Sequence, residues 1–283
     1  MQPRIGAHLS IGKGLPATAE SAVKLGVEAF QVFSRNPRGA SARTWSEEEV
    51  RAFRTIISEN HIDPVVVHIP YIVNPCSGRD DLYELAHRII SEDLVRCDII
   101  GARYLVLHPG SRGEQAVEQA LERLVNLLKK VLDDYDGNTM LLIETMAGMG
   151  KEIGTDFSDF KVILDGVNRP DRLGVCIDTC HLTAAGHDMK TAQGIKATVE
   201  DMGRCIDIGA IKVVHANDSA KDIGSKVDRH APIGAGFIGI EGFNALLAEP
   251  FMRSLPFILE TPPDTIEQDL AILREIRQKL NKK

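Results

Sequence analysis

The chain has 283 residues, five cysteines and a formal net charge of −7. This length is sufficient for one large α/β domain, and we expect a single domain over residues 1–283 because no Pro/Ser-rich linker divides the sequence. The negative charge argues against a protein that binds nucleic acid through its whole surface, so any phosphate-binding face must be local. The sequence shows no signal-like leader, no membrane-spanning apolar run and no Cys-x-x-Cys pair, and we therefore expect a cytoplasmic protein with reduced thiols.

Short apolar runs recur along the chain, and segments with apolar residues at helical spacing lie between them. In chain order the runs cover residues 5–7, 29–33, 65–67, 104–107, 140–143, 175–177, 211–214 and 257–259, and clear helical patterns cover residues 116–132, 192–208 and 266–280. Alternating buried strands and helices predict a (β/α)8 TIM barrel. An open doubly wound sheet is the alternative, although it would bring fewer strand ends to one point.

The residues that end the third to the eighth runs all belong to types that bind metal ions. They are His68, His108, Glu144, Asp178, His215 and Glu260. Side chains alternate along a strand, so Asp178 shares a face with Cys176 and Gly174 and should point into the barrel. A helix-capping Asp178 and a surface His181 are the simplest reading of that stretch alone. Six such residues at one mouth would be a costly buried cluster without a cation, and this repetition favours a metal centre.

Two loops add further possible ligands. His181 begins the loop after the sixth run, and Asp228 and His230, separated by one residue, follow the seventh. Mixed ligation rich in imidazole suits zinc better than magnesium. Nine candidates shared among three ions would leave about three protein ligands each and open positions for water and substrate, which is the pattern of catalytic zinc.

The loop after the second run differs in character from the metal-ligand positions. Residues 34–43 include three arginines and no acid, and Trp45 follows them. The loop after His68 offers Tyr71 and Ile72. Basic residues beside wedge-like side chains suit a phosphate backbone with disturbed base stacking, although ordinary polar loops are the alternative.

Several of these segments carry a resemblance to a known family. They are residues 6–10, 33–38, 108–111, 144–148, 174–181 and 227–230. Together they resemble the endonuclease IV family of apurinic/apyrimidinic (AP) endonucleases. The resemblance spans nearly the whole chain, and all the candidate ligands fall on the family's ligand positions.

The resemblance implies a trinuclear zinc centre that hydrolyses duplex DNA 5′ to an abasic site, leaving 3′-hydroxyl and 5′-deoxyribose phosphate ends. An accessory 3′-repair diesterase activity is compatible with it. The implied zinc ligands are His68, His108 and Glu144 for one ion, Glu144, Asp178, His215 and Glu260 for a second, and His181, Asp228 and His230 for the third. Glu144, Asp178 and Glu260 would be the catalytic carboxylates. Arg38, Tyr71 and Ile72 would enter the duplex at the lesion, and we expect the chain to act as a monomer.

Some positions depart from the family pattern or carry no clear role. Gly39 stands where the family often has an aromatic residue, and Thr145 stands where it usually has Asn, which leaves open any activity on damaged bases or as a 3′-exonuclease. Residues 234–239 match Gly-x-Gly-x-x-Gly but follow a ligand-bearing loop, so we expect them to shape a loop before a helix. We expect Cys180 to be a packing residue and His8 to lie beside the metal ligands.

Two other functions fit parts of this pattern. A sugar isomerase or epimerase could use the same barrel with a divalent-metal site, but such sites are richer in carboxylates and need fewer imidazoles. A protein that binds damaged DNA and uses zinc only for structure is the non-enzymatic alternative. Open coordination positions argue against it, because structural zinc sites are normally closed by four protein ligands.

Overall fold

The structure is a computed structural model that describes residues 2–282. Its strands are β1 (Ile5–His8), β2 (Ala29–Phe33), β3 (Val65–His68), β4 (Tyr104–Leu107), β5 (Met140–Glu144), β6 (Leu173–Asp178), β7 (Ile211–His215), β8 (Asp218–Ser219), β9 (His230–Ala231) and β10 (Phe257–Leu259). Its α-helices are α1 (Leu15–Leu25), α2 (Glu47–Glu59), α3 (Asp80–Ile100), α4 (Val117–Asp133), α5 (Phe157–Val167), α6 (Thr179–Ala185), α7 (Ala192–Cys205), α8 (Gly239–Ala248) and α9 (Ile266–Leu280).

Eight of these strands form a closed parallel barrel in the order β1-β10-β7-β6-β5-β4-β3-β2. The β8 and β9 strands pair antiparallel in a separate ribbon, with Asp218 opposite Ala231 and Ser219 opposite His230. Helices follow each barrel strand in the sequence, as right-handed parallel crossovers require. The predicted (β/α)8 TIM barrel is therefore confirmed.

A layer of fully buried side chains fills the inside of the barrel. It consists of Ala29, Val66, Val106, Leu142, Cys176, Val213 and Ile258. Each member lies two residues before a polar residue, which ends or directly follows its strand in every case except Gln31 of β2, and alternation along a strand puts both on the same inward face. The polar residues therefore stand on this apolar layer at the mouth of the barrel.

The helices cover the barrel with one apolar face each. In α4 the buried residues Ala120, Leu124, Leu128 and Val131 recur at helical spacing, which explains why this helix was predicted from sequence. The α2 helix begins at a capping box in which the Ser46 side chain accepts the Glu49 N–H. Within residues 2–282, none of the helices combines the length and apolar character needed to cross a membrane.

Two short elements differ from the sequence-based expectation. His181 was expected in a loop, but it lies in the first turn of α6, and the Asp178 side chain caps this helix by accepting the His181 N–H at 2.8 Å. Asp178 therefore caps a helix and also faces the barrel mouth, so the two readings of this residue are both correct. The β8–β9 ribbon, which carries His230, was expected to be irregular loop.

Candidate metal centre

Glu144 lies at the centre of the barrel mouth and is surrounded by imidazoles. Its Oε2 lies 3.1 Å from His68 Nε2 and 3.3 Å from His108 Nε2. Its Oε1 lies 3.0 Å from His215 Nδ1 and 3.4 Å from His181 Nδ1. One carboxylate thus contacts three histidines at strand ends and a fourth in the first turn of α6, which is the geometry of a bridging group.

Two groups of potential ligand atoms meet at Glu144. His68, His108 and Glu144 form one, Glu144, Asp178, His215 and Glu260 form the other, and within each group the ligand atoms lie within 4.8 Å of one another. These are the sets that the resemblance assigns to two zinc ions. Their proximity shows that each set can hold a metal ion, while the ligand roles themselves stay predictions.

A further set lies between α6 and the β8–β9 ribbon. Asp228 Oδ1 is 3.3 Å from His181 Nε2 and 3.4 Å from His230 Nε2, so the three predicted ligands converge. Asp178 also approaches, with its Oδ2 at 3.6 Å from His230 Nε2. Cys180 joins Asp228 and His230 in a compact group of possible ligands, although burial raises the pKa of its thiol to about 12.

Two buried nitrogens indicate that this set suits a cation. His181 Nε2 and His230 Nε2 are buried, and neither has a hydrogen-bond partner among the described residues. Both lie close to Asp228 Oδ1 but are not aligned for a hydrogen bond. Buried polar atoms are normally paired, and nitrogens that face one point beside a carboxylate are what metal coordination requires.

Three carboxylates of the centre, Glu144, Asp228 and Glu260, have lowered pKa values despite their burial. Burial would raise the pKa of Glu260, but His215 and other imidazoles lower it to about 2. Burial acts in the same direction on Asp228, and the close approach of His181 outweighs it, so that the pKa of Asp228 also falls to about 2. The pKa of Glu144 is held well below its usual range by His215 and His108 against the effect of burial. The mouth therefore brings ionised carboxylates and imidazoles together, and both are groups that bind a metal cation.

Two amide side chains that the sequence reasoning missed hold the carboxylates in place. Gln31 Nε2 donates to Glu260 Oε1 at 2.6 Å, and Gln31 Oε1 lies 2.9 Å from His215 Nε2. Asn217 Nδ2 donates to Asp178 Oδ2 at 2.6 Å and to Glu260 Oε2 at 3.2 Å. The alternation rule could have found them, because Gln31 lies two residues after Ala29 and Asn217 lies two residues after His215. Such partners fix the orientation of metal-ligating groups.

Thr145 supports the same region through its side chain and its backbone. Its Oγ1 accepts the Asp178 N–H at 2.9 Å, and its carbonyl oxygen lies 2.7 Å from His181 Nδ1. The second contact orients the His181 ring so that Nε2 faces Asp228. Thr145, which departs from the usual family residue, therefore contributes to the order of this site.

His8 lies at the edge of the cluster, as expected from sequence. Its Nδ1 is 3.1 Å from Gln31 Nε2 and 4.0 Å from Glu260 Oε1. Burial lowers the pKa of His8 to about 4, the effect of Glu260 notwithstanding. The neutral ring can thus accept a hydrogen bond from Gln31, and through Gln31 it helps to position Glu260.

The three side chains predicted to enter DNA stand on two adjoining loops. Arg38 is exposed, Tyr71 is 66% exposed, and Ile72 is half-buried against the core. The Tyr71 N–H donates to the Pro37 carbonyl at 3.1 Å, which connects the two loops. The Tyr71 ring rests edge-on against Phe33, with ring centroids 5.3 Å apart. Arg38 and Tyr71 are therefore available to a ligand beside the metal centre.

Arg35, in the same loop of residues 34–43, differs from Arg38 in its exposure to solvent. Arg35 is buried, and its Nε donates to the buried Asp93 Oδ1 at 2.9 Å. Ser34 Oγ donates to the same oxygen at 2.6 Å, and Arg35 also pairs with the half-exposed Glu92. Arg35 is therefore not available to a phosphate backbone, because the carboxylate of Asp93 on α3 holds it in the interior.

Replacing Asp93 with alanine is expected to lower the free energy of unfolding by roughly 3 kcal/mol, the lower end of the cost of breaking a buried ion pair. The loss should not be larger because Glu92 still pairs with Arg35. Chemical denaturation of the purified variant measures it. Glu92→Ala is the matched control and should cost less than about 1 kcal/mol, since that partner is half-exposed. Equal losses in the two variants would contradict the buried pairing.

The closed barrel and the acid- and imidazole-rich mouth together define a class of protein. The profile of a family described as xylose isomerase-like TIM barrels matches residues 19–276. The chain is thus a member of this class, whose fold is shared with sugar-converting proteins. A D-tagatose 3-epimerase-like protein, for example, superposes with a TM-score of 0.74 at 18% identity, covering 99% of this chain and 98% of its own, which shows the fold alone.

Relatives with higher sequence identity identify the family within this class. The chain is 40% identical over 279 residues to a probable endonuclease 4 from Moorella thermoacetica, covering 97% of this chain and 99% of the relative. It is 38% identical over 275 residues to a probable endonuclease 4 from Methanoculleus marisnigri, covering 97% and 98%. The crystal structure of endonuclease IV from Thermus thermophilus superposes with a TM-score of 0.86 at 33% identity, covering 98% of this chain and 100% of its own. The chain belongs to the endonuclease IV family.

Proposed function

We propose that this protein is a DNA-repair endonuclease that hydrolyses the phosphodiester bond 5′ to an abasic site in duplex DNA through a trinuclear zinc centre. The observation that supports this most strongly is the convergence of His68, His108, His181 and His215 on Glu144, in a chain of the endonuclease IV family. The products would carry a 3′-hydroxyl and a 5′-deoxyribose phosphate. The same centre would also support removal of blocked 3′ ends.

Three sets of residues would hold the ions, and two of these sets share Glu144. The sets are His68, His108 and Glu144; Glu144, Asp178, His215 and Glu260; and His181, Asp228 and His230. Zinc fits the imidazole-rich composition better than magnesium does. Bound zinc supplies Lewis-acid polarisation of the phosphate and lowers the pKa of water toward neutrality.

The side chains around these sets would keep the centre in one geometry. Gln31 donates a hydrogen bond to Glu260 Oε1, and Asn217 donates to Glu260 Oε2 and to Asp178 Oδ2. These hydrogen bonds leave the carboxylates little freedom to rotate, so that they would not need to reorganise when substrate arrives. The apolar layer beneath these side chains would keep water in the barrel interior from reaching the centre.

The exposed loops beside the centre would recognise the lesion. Arg38, Tyr71 and Ile72 would enter the duplex at the lesion, so that the abasic nucleotide can be extruded into the pocket. The fixed link between Tyr71 and Pro37 keeps these side chains together at one edge of the mouth. A local basic and aromatic patch of this kind is compatible with the overall negative charge.

Tyr71→Ala is expected to weaken binding to a duplex with one abasic site by roughly 5- to 150-fold, because aromatic stacking on a base contributes about 1–3 kcal/mol. Fluorescence anisotropy with a labelled duplex measures this. Tyr71→Phe keeps the ring and should bind within about twofold of the unmodified protein. Zinc content should be the same in all three proteins. A loss of affinity in the phenylalanine variant as large as that in the alanine variant would argue against a stacking role.

The proposal is tested by incubating the purified protein with a duplex that carries a single abasic site. One nick 5′ to the lesion, with a 3′ end that a polymerase extends directly, is the expected result. A nick 3′ to the lesion, or an uncut duplex in the presence of added zinc, would refute it. Ketohexose substrates are assayed in parallel, because epimerisation without DNA cleavage would support the sugar-converting alternative.

A further inference from the structure

The glycine-rich segment at residues 234–239 wraps around a buried carboxylate. Asp218 Oδ2 accepts the N–H groups of Gly234 at 2.9 Å, Gly236 at 3.0 Å and Gly239 at 3.2 Å. Asp218 Oδ1 accepts those of Ser219 at 2.8 Å and Ile238 at 2.9 Å. Asp218 is fully buried, so an acidic side chain takes the place that an anionic ligand occupies in similar glycine-rich turns.

Gly236 is required by its close approach to Asp218, and Gly234 is required by its backbone conformation. A Cβ on Gly236 would lie 2.5 Å from Asp218 Oδ1 and 2.3 Å from the Ser219 carbonyl oxygen. Gly234 has a φ of 85°, a left-handed conformation that other residues rarely adopt. The motif therefore serves to bring backbone N–H groups onto Asp218, and α8 begins at its last residue, Gly239.

The same carboxylate lies in the ribbon that carries the proposed zinc ligand His230, and Asp228 lies two residues before His230 in the segment that connects the two strands. Asp218 and Ser219 form β8, which pairs with His230 and Ala231 in β9. The Phe237 N–H donates to the Ser219 carbonyl at 2.8 Å, and the Ala220 N–H donates to the Arg229 carbonyl at 2.9 Å. The glycine-rich segment, β8 and β9 are thus one hydrogen-bonded unit. Within this unit, the Asp218 side chain accepts more hydrogen bonds than any other side chain.

We infer that Asp218 is a positioning residue for the zinc site formed by His181, Asp228 and His230. It acts by holding the β8–β9 ribbon in register, and it does not contact the ion. This inference rests on the proposed zinc centre and adds a specific claim to it. The other two ions depend on residues of the barrel strands, so their binding does not require Asp218.

Asp218→Asn is the sharpest test of this role. Asparagine has nearly the same shape, but its NH2 group must replace one carboxylate oxygen, and each oxygen accepts at least two backbone N–H groups. In either orientation of the amide, its NH2 group therefore faces at least two backbone N–H groups that lose their acceptor. We expect the variant to keep two zinc ions and to bind the third roughly 10- to 100-fold more weakly, the range seen when supporting partners of metal ligands are removed. Equilibrium dialysis in zinc buffers, followed by elemental analysis, gives the count and the affinity.

Asp93→Asn is the matched control, because Asp93 is also a fully buried carboxylate but lies on α3 beside Arg35. It should retain all three ions with unchanged affinity. Gly236→Ala, which would push against Asp218, should reproduce the selective loss of one ion. Excess zinc should restore abasic-site cleavage in both altered proteins, because only affinity is reduced.

The possible results separate the inference from the proposed function. Three tightly bound ions in Asp218→Asn and Gly236→Ala would overturn the role of Asp218 while leaving the zinc centre intact. Equal loss of all ions, in these variants and in Asp93→Asn alike, would show a general effect of stability and would also overturn it. An unaltered protein that never binds a third ion would refute the zinc centre and the inference together.

Discussion

Glu144→Gln is expected to reduce cleavage of an abasic duplex by a factor on the order of 10³ or more, since metal stabilisation of the transition state contributes several kcal/mol. Glutamine keeps the volume of Glu144 but removes the charge on which four imidazoles converge. Two of the proposed ions share this carboxylate, so one substitution should weaken both sites. Single-turnover kinetics with a labelled duplex, together with zinc analysis, measure the two effects.

The fold should survive this change, because the apolar layer and the helices of the barrel do not depend on Glu144. Far-ultraviolet circular dichroism should therefore match that of the unaltered protein. Glu152→Gln is a suitable control: this carboxyl follows the same strand on the β5–α5 loop and accepts the Met149 N–H at 2.8 Å, outside the three ligand sets. It should cleave normally. Unchanged turnover in Glu144→Gln would rule out the shared-metal arrangement.

Removal of metal by a chelator is expected to abolish cleavage and to destabilise the protein. A ligand present at about 1,000 times its dissociation constant stabilises the folded state by about 4 kcal/mol. For a chain of this size that corresponds to a decrease in Tm of roughly 8–16 °C. The carboxylates at the mouth would then repel one another with only imidazoles to balance them. Calorimetry before and after dialysis against chelator measures the shift.

Zinc added back to the dialysed protein should restore both cleavage and Tm, whereas magnesium should restore neither, because the ligands are rich in imidazole. The Glu144→Gln protein provides an internal comparison. Since it should hold fewer ions, chelation should change its melting temperature less. Full activity in chelator, with no metal in the protein, would contradict the zinc mechanism.

The barrel and the predicted ligand positions were accessible from sequence because both depend on local patterns. Each strand is a short apolar run, and the alternation rule assigns Glu144 and Asp178 to the inward face without any knowledge of their neighbours. The α9 helix was predicted with its observed bounds, Ile266–Leu280, because its apolar spacing is regular. The α7 helix ends at Cys205, earlier than its apolar pattern suggested, and a short 3-10 helix follows at Ile208–Ala210.

Features that depend on distant partners were not predictable in the same way. Arg35 is drawn inward by Asp93, and Gln31 binds Glu260 from the far end of the sequence. The alternation rule places Gln31 on the inward face, but it does not identify the partner of either side chain. The α6 helix was missed for another reason: seven residues are too few to show helical spacing, so only the cap formed by Asp178 marks its start.

Among the described residues, the apolar layer inside the barrel leaves the proposed metal centre accessible from the mouth side. Val66, Val106, Leu142 and Val213 are fully buried and close the route from the opposite end, so ions, water and DNA must all pass through the mouth. A bound duplex would therefore block the exchange of ions and water between the centre and the solvent. A chelator should therefore behave kinetically as a competitor of DNA, and the proposed zinc ions should leave the protein no faster than the duplex dissociates. Under the proposed function, a bound duplex with an abasic site would thus slow the loss of metal from the centre.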